Sequence, residues 1–337
     1  MRNFLAAILF YFIFVTAEPQ GKTNQAIIRE MESISASFVK EYSQGRYEEA
    51  LPHAERLFLL MREHLGENHQ QTLSSLGNLA LVHRMRGKYK EAEGLYLDLL
   101  DRQKNFLGEN HSDTLTNMSN LGSLYKDQGR YDKAEELYLR CLEIWEKQLG
   151  DSHPDTVTVM EKLAGLYRQK CQYEKAETIY FRLIEIRKQQ VGEGHLETMK
   201  STKDLGNLYL IAGKYERAEA VLTELLHRSR KSLGEKHLLS LELANNLAYL
   251  YQLQGFPTRA EQALVDLIGL SKTVWGENAL NTLTFVSNLA TIYYQQQKYG
   301  QAESLLVQTI DTDQKKLEKS GGNEPKWQEF LLMCRSD

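Results

Sequence analysis

The sequence predicts an all-α protein: a right-handed α-solenoid of about seven helix-turn-helix repeats. The first observation behind this is a recurring stretch, Gly129-Arg130-Tyr131-Asp132-Lys133-Ala134-Glu135. Its counterparts begin at Gly45, Gly87, Cys171, Gly213, Gly255 and Gln297, each 42 residues from the last. A fixed period of this size marks stacked supersecondary units that bury their apolar faces against one another. The second is composition, with only 5 prolines in 337 residues and an abundance of Leu, Ala, Glu, Lys and Gln, which favours helix throughout. The third is a hydrophobic content of 42%, enough to build a continuous core and too much for a disordered chain.

Taken in order, residues 1–17 carry Arg2, an uncharged apolar run from Phe4 to Val15, and Thr16-Ala17 before Glu18. A positive start, a short apolar stretch and small residues at a cut site form the pattern of a cleaved secretory signal. A run of about a dozen residues falls short of the roughly 20 that a membrane span needs, so no stable span is expected. The expected location is secreted or within the secretory lumen; a retained segment would make it cytoplasmic. Asn110-His111-Ser112 and Asn117-Met118-Ser119 are glycosylation triplets, with Asn110 in an expected loop.

The solenoid is expected over 18–319, with repeats at about 30–64, 73–106, 115–148, 157–190, 199–232, 241–274 and 283–316. In the first repeat Phe38 and Tyr42 precede Ser43-Gln44-Gly45, one residue closer to the glycine than Tyr125 stands to Gly129. The first repeat therefore reads as shortened by one residue, an atypical end cap. In repeats two to seven a leucine recurs at Leu79, Leu121, Leu163, Leu205, Leu247 and Leu289. A small residue follows each, and a ring stands three further on, from His83 and Tyr125 to Tyr293. These three types share one face of a first helix, A, the small residue allowing close approach of a neighbour.

After the turn, a tyrosine and an alanine (Tyr131 and Ala134 in the third repeat) open a second helix, B. Pro257 replaces that tyrosine in the sixth repeat, which predicts a locally different turn. Helix B ends at a Leu-Gly pair such as Leu149-Gly150, where glycine supplies positive φ. His153-Pro154-Asp155-Thr156 then suits a new helix start. Beyond Lys319, Ser320-Gly321-Gly322 breaks the pattern, and Trp327, Phe330 and Leu331 are spaced for a short capping helix within 320–337.

A formal charge of -4 and a pI near 6.2 provide no basic field for nucleic acid. Three cysteines without CxxC spacing suggest neither a disulfide framework nor a zinc site. His69, His111, His153, His195 and His237 recur once per connector; a row with the spacing of packed helices cannot converge on a metal. Neither a metal-binding HExxH nor a phosphate loop occurs. No enzyme activity, cofactor, metal or small-molecule substrate is therefore expected.

The Leu, small, Tyr and Ala positions make the repeat resemble the tetratricopeptide motif. The 42-residue period and the Leu-Gly-x-x-His-x-x-Thr connector resemble the type found in kinesin light chains, over about residues 30–316. The heavy-chain-binding coiled coil of those proteins has no counterpart here, where no sustained heptad pattern precedes the repeats. The resemblance implies a protein or peptide partner, held on a concave surface lined by helices A. It also carries a peptide-holding role to Asn78, Asn120, Asn246 and Asn288. Lys162 and Asp204 occupy that position in the fourth and fifth repeats.

Asparagine presents both a donor and an acceptor, as an extended backbone requires. Arg84, Lys126 and Arg168, again 42 apart, predict selectivity for an acidic segment in the amino-terminal half. Asn207, Tyr249 and Tyr294 beside Asn246 and Asn288 predict a preference for neutral or aromatic segments in the other half. The function expected is a peptide-binding scaffold; a cytosolic transport adaptor of the kinesin-light-chain kind is the alternative.

Overall fold

A computed structural model describes residues 22–307, all its regular structure being helical. The chain divides into two compact units, 1–166 and 167–337. The helices are α1 (Lys22–Ser43), α2 (Tyr47–Leu65), α3 (Gln70–Met85), α4 (Tyr89–Leu107), α5 (Ser112–Asp127), α6 (Tyr131–Leu149) and α7 (Pro154–Gln169). They continue with α8 (Tyr173–Val191), α9 (Leu196–Ile211), α10 (Tyr215–Leu233), α11 (Leu238–Leu253), α12 (Pro257–Trp275) and α13 (Leu280–Gln295). Residues 299–307 are again helical, where the described residues end. Odd-numbered helices are the A helices and even-numbered ones the B helices: an α-solenoid of stacked pairs. The expected signal over 1–17 and the capping helix over 320–337 lie outside the described residues.

Each A helix buries its Leu and small positions. In the first unit Leu79, Ala80, Leu121, Leu163 and Ala164 are buried, as are Leu205, Leu247, Ala248, Leu289 and Ala290 in the second. A Cβ on Gly122 would come within 2.9 Å of the Tyr138 ring, and one on Gly206 within 2.5 Å of Leu222. The small position is thus where a B helix presses against its A helix. The B-helix alanines Ala50, Ala92, Ala134, Ala176, Ala218, Ala260 and Ala302 are fully buried.

The connectors explain the histidine row. Gly150 has φ 82° and ψ 167°, a combination that belongs essentially to glycine. Its carbonyl accepts from Thr156 Oγ1 at 2.9 Å, while Nδ1 of His153 accepts from the Asp155 N–H at 3.3 Å. His69, His111, His195 and His237 cap α3, α5, α9 and α11 in the same way. Each histidine is an N-cap acceptor for an otherwise unmade helix-end donor. Among the described residues no cluster of three or more His, Cys, Asp or Glu side chains could hold a metal.

Two expectations about the turns are corrected. In the first repeat the Arg46 N–H reaches the Glu41 carbonyl, just as the Arg130 N–H reaches that of Tyr125. Glu41 therefore holds the ring position and no residue is missing; Tyr42 stands one place later and packs its ring between those of Phe38 and Tyr47. In the sixth repeat Pro257 is the first residue of α12, where a backbone N–H is dispensable. The turn bond, Phe256 N–H to Tyr251 carbonyl at 2.8 Å, matches the 2.8 Å of the third repeat, and the only change is a φ of −107° at Phe256.

Three pairs of successive B helices are stitched by a base that follows the turn. In the first unit Arg130 meets Glu93 at 2.7 Å and lies over the Tyr125 ring at 4.2 Å. In the second, Lys214 meets Glu177 at 3.1 Å and Lys298 meets Glu261 at 2.8 Å. These pairs are part-exposed and contribute little energy each, but they fix one repeat against the next.

Candidate functional site

Neighbouring A helices contact one another within each unit, so their outer residues form a continuous A face. In the first unit this face carries Asn78, Arg84, Asn120, Lys126 and Lys162. Arg84 is not available as the sequence suggests: its Nε donates to Asp127 Oδ2 at 2.7 Å. Asp127 stands 43 residues on, one repeat and one residue. The same offset joins Gln70 to Asp113 and Lys162 to Ser119. It also joins Asn288 to Asn245 and Gln252 to Gln295 in the second unit. That offset is the readable signal for side chains that meet across adjacent A helices.

Lys162 has an unusual environment. The residue is half-buried, but its ammonium is enclosed, donating to Ser119 Oγ at 2.8 Å and to Asn120 Oδ1 at 3.4 Å. Neither partner carries charge. Burial, reinforced by the nearby Arg84 guanidinium, pushes its pKa down to about 8. Asn78 and Lys126 make no side-chain hydrogen bond or ion pair among the described residues. The first-unit face thus brings together three cations, Arg84, Lys126 and Lys162, of which Arg84 is paired with the carboxylate of Asp127.

The second unit is built otherwise. Asn246 Nδ2 donates to Asn207 Oδ1 at 2.7 Å, and Asn288 Nδ2 to Asn245 Oδ1 at 2.8 Å. Each pair leaves the amide NH2 of one asparagine and the side-chain oxygen of the other outside the bond between them, donors and acceptor that suit an extended backbone. Lys203 is neutralised by Glu242 at 2.5 Å. Lys203, Asn207, Glu242, Asn245 and Asn246, with Leu238, Asn281, Thr284 and Phe285, line a shallow cavity of about 260 Å³. Ile211, Leu238, Tyr249, Leu253 and Leu280 are exposed on these A helices, Leu280 to 74%. In the first unit the A helices expose only Ile28 and Met85 among large apolar residues. Arg168 falls in the second unit and has no ion pair among the described residues, and Tyr294 packs edge-on against Tyr299.

The tetratricopeptide-repeat family model matches residues 39–105, 78–146, 113–189, 160–231 and 197–273, and a second model of the same repeat matches 282–318. The chain belongs to the tetratricopeptide-repeat family. The curated proteins contain no match to this tetratricopeptide-repeat chain. Among solved structures it is similar to BtubC (BKLC) from P. vanneervenii, with 21% identity over 74% of this chain and 93% of that one and a TM-score of 0.54. It is also similar to a tetratricopeptide repeat protein from Parabacteroides merdae, at 20% identity over 91% and 99% with a TM-score of 0.56. The nearly identical TPR-like repeats of a Podosopora anserina protein assigned to the kinesin light chains match at 22% identity over 60% and 96%, TM-score 0.54. These likenesses establish the fold, a solenoid of tetratricopeptide repeats.

The two glycosylation triplets separate in the structure. Asn110 is exposed in its connector. Asn117 is buried in the middle of α5, its amide donating to the Tyr96 carbonyl at 3.1 Å. That corrects the expectation for Asn117, since a glycan would require α5 to be displaced. No described helix is long and apolar enough to cross a membrane.

Proposed function

We propose that this tetratricopeptide-repeat protein is a non-enzymatic scaffold that binds extended peptide segments on its A faces. The first-unit face takes an acidic segment and the second-unit face a neutral or aromatic one. The observation that carries this is the cation cluster of the first unit, where Arg84, Lys126 and Lys162 lie together and Arg84 alone is paired with a carboxylate, against the paired charges and exposed apolar side chains of the second. Protein-binding tetratricopeptide repeats supply the setting; the electrostatics supply the selectivity.

Reversing Lys126 to Glu tests the acidic half without disturbing the Arg84–Asp127 pair. Fluorescence anisotropy with a labelled Glu-rich dodecapeptide should show at least about a tenfold loss of affinity, some 1.4 kcal/mol. Unchanged affinity removes the proposal. The partner is sought in the secretory route, in keeping with residues 1–17 and the exposed Asn110. Intact mass of protein from its native cells should show a chain starting near Glu18 with a glycosidase-sensitive increment. A soluble, unprocessed and unglycosylated chain favours instead the cytosolic adaptor suggested by the kinesin-light-chain-like repeats.

A further inference from the structure

We propose that the outer face of the B helices in the first unit docks a basic, amphipathic helix of a partner protein. This surface is distinct from the A face and does not depend on the peptide reading above. Its apolar content is the first observation. Leu59 on α2, Leu97 on α4 and Leu139 on α6 are 44%, 46% and 43% exposed, whereas the A helices of this unit expose only Ile28 and Met85 among large apolar residues. Leu97 and Leu139 stand 42 residues apart and so occupy the same place on neighbouring B helices. The second observation is charge. Asp101 and Glu143 follow these leucines by four residues, and Glu55 precedes Leu59 by four, so each leucine shares a helix face with one carboxylate. No Lys or Arg forms an ion pair with any of the three carboxylates among the described residues. Arg56, Arg102 and Arg140, beside these residues in the chain, are taken instead by Glu30, by Glu67 and Asp98, and by Glu109. Across the exposed residues of α2, α4 and α6, Asp and Glu number ten against six Lys and Arg, so this face is acidic where the A face is cationic.

The third observation is Gly94. It sits within α4, one turn before Leu97 and exposed like it, and a Cβ there would meet nothing within 4 Å. The fold has no steric need for glycine at this place. Glycine in an exposed helix interior costs stability relative to alanine, and the same position holds Glu136 in the next repeat. A glycine kept there clears room for another backbone to approach α4 closely. Spacing decides the shape of the partner. Packed neighbouring helices lie roughly 10 Å apart, and an α-helix rises about 10.5 Å in seven residues. A helix laid across α4 and α6 therefore sets one apolar residue on Leu97 and another, seven residues on, on Leu139. A Lys or Arg one turn from each reaches Asp101 and Glu143. Leu59 and Glu55, in reversed order, extend the patch to α2. In an extended strand the same distance takes about three residues, an odd number that points successive side chains to opposite faces. An anionic lipid surface would be repelled by the same carboxylates.

The full chain is titrated with an alanine-rich helical peptide that carries Leu at every seventh residue and Lys one turn after each Leu. A counterpart with Glu in place of Lys and a scrambled version are the controls. The Lys peptide should bind and protect α4 and α6 in hydrogen exchange, and neither control should. Leu97→Ala with Leu139→Ala, and separately Asp101→Asn with Glu143→Gln, should each weaken that binding about tenfold, read by fluorescence anisotropy. Gly94→Gln should weaken it as much while raising the urea midpoint, two opposite effects that a glycine required by the fold would not give. The Glu-rich dodecapeptide should keep its affinity in all these variants, which separates a failure here from a failure of the acidic-peptide reading. The proposal is overturned if the Lys peptide does not bind, if its binding ignores these substitutions, or if protection falls only on the A helices. A dimer of the chain in sedimentation that the paired leucine substitutions abolish overturns it in favour of a second copy as the occupant. Binding of phosphatidylserine vesicles lost in the same variant overturns it in favour of a membrane.

Discussion

Cys171 and Gln297 show how far a repeat will hold its geometry against a single residue. Both stand where the other repeats place a turn glycine, and both adopt positive φ, 56° and 60°. That conformation costs an L residue about 1 kcal/mol or more, so the turn is imposed by the packed helices on either side. Gln297→Gly should raise stability by about 1 kcal/mol, read as a higher urea midpoint with an unchanged slope. Lys162 carries the opposite lesson. Its folded-state pKa lies near 8, below the ordinary lysine value, so the unfolded chain binds more protons between about pH 8 and 10 and stability rises across that window. Lys162→Met should remove that rise and stabilise the chain at pH 7 by about 1 kcal/mol, seen in thermal melts at several pH values. The sequence made the special residue type at 162 visible, but not the absence of a counter-charge. That absence depends on Asp127 having been claimed by Arg84.

At the scale of the helix, the connectors set where each A helix begins. Five described A helices start behind a histidine whose Nδ1 accepts a backbone N–H, whereas α13 starts behind Ala279 with no side-chain cap. Ala279→Ser should therefore stabilise the last repeats, and His111→Ala should destabilise α5, each by about 1 kcal/mol. Hydrogen exchange of the first-turn amides measures both locally. Helix existence and pairing were legible because a 42-residue period and a 3.6-residue stripe both repeat without drift. The alignment of the first repeat was not. Tyr42 looks like the ring residue by type, yet the backbone turn counts four residues back from Gly45 and finds Glu41. Hydrogen-bond register overrules residue chemistry there.

On the scale of the whole molecule, a single repeat pattern supports two kinds of A face. The framework positions are nearly constant, while the outward ones change from Gln70, Ser112 and Lys126 in the first unit to Leu238, Leu280 and paired asparagines in the second. Coulombic binding to the first unit should weaken steeply between 50 and 300 mM salt, because the Debye length shrinks below the spacing of exposed charges. Binding to the apolar second unit should hold or strengthen over the same range, and anisotropy with acidic and neutral aromatic peptides separates the two. The candidate residues on these faces were legible as a 42-residue ladder; their pairings were not, because partners are offset by 43 or by 39.

The uniform joint has a consequence for inheritance. A stretch of DNA encoding 42 residues, cut at the connectors of Gly108 and Gly150, begins and ends with halves of the same hinge: glycine at positive φ, a threonine closing on its carbonyl, a histidine seating the next helix. Unequal recombination can therefore add or delete one block and leave both neighbours with a seam they already fit. Reading length becomes a matter of copy number, and selection is left to edit only the outward rungs.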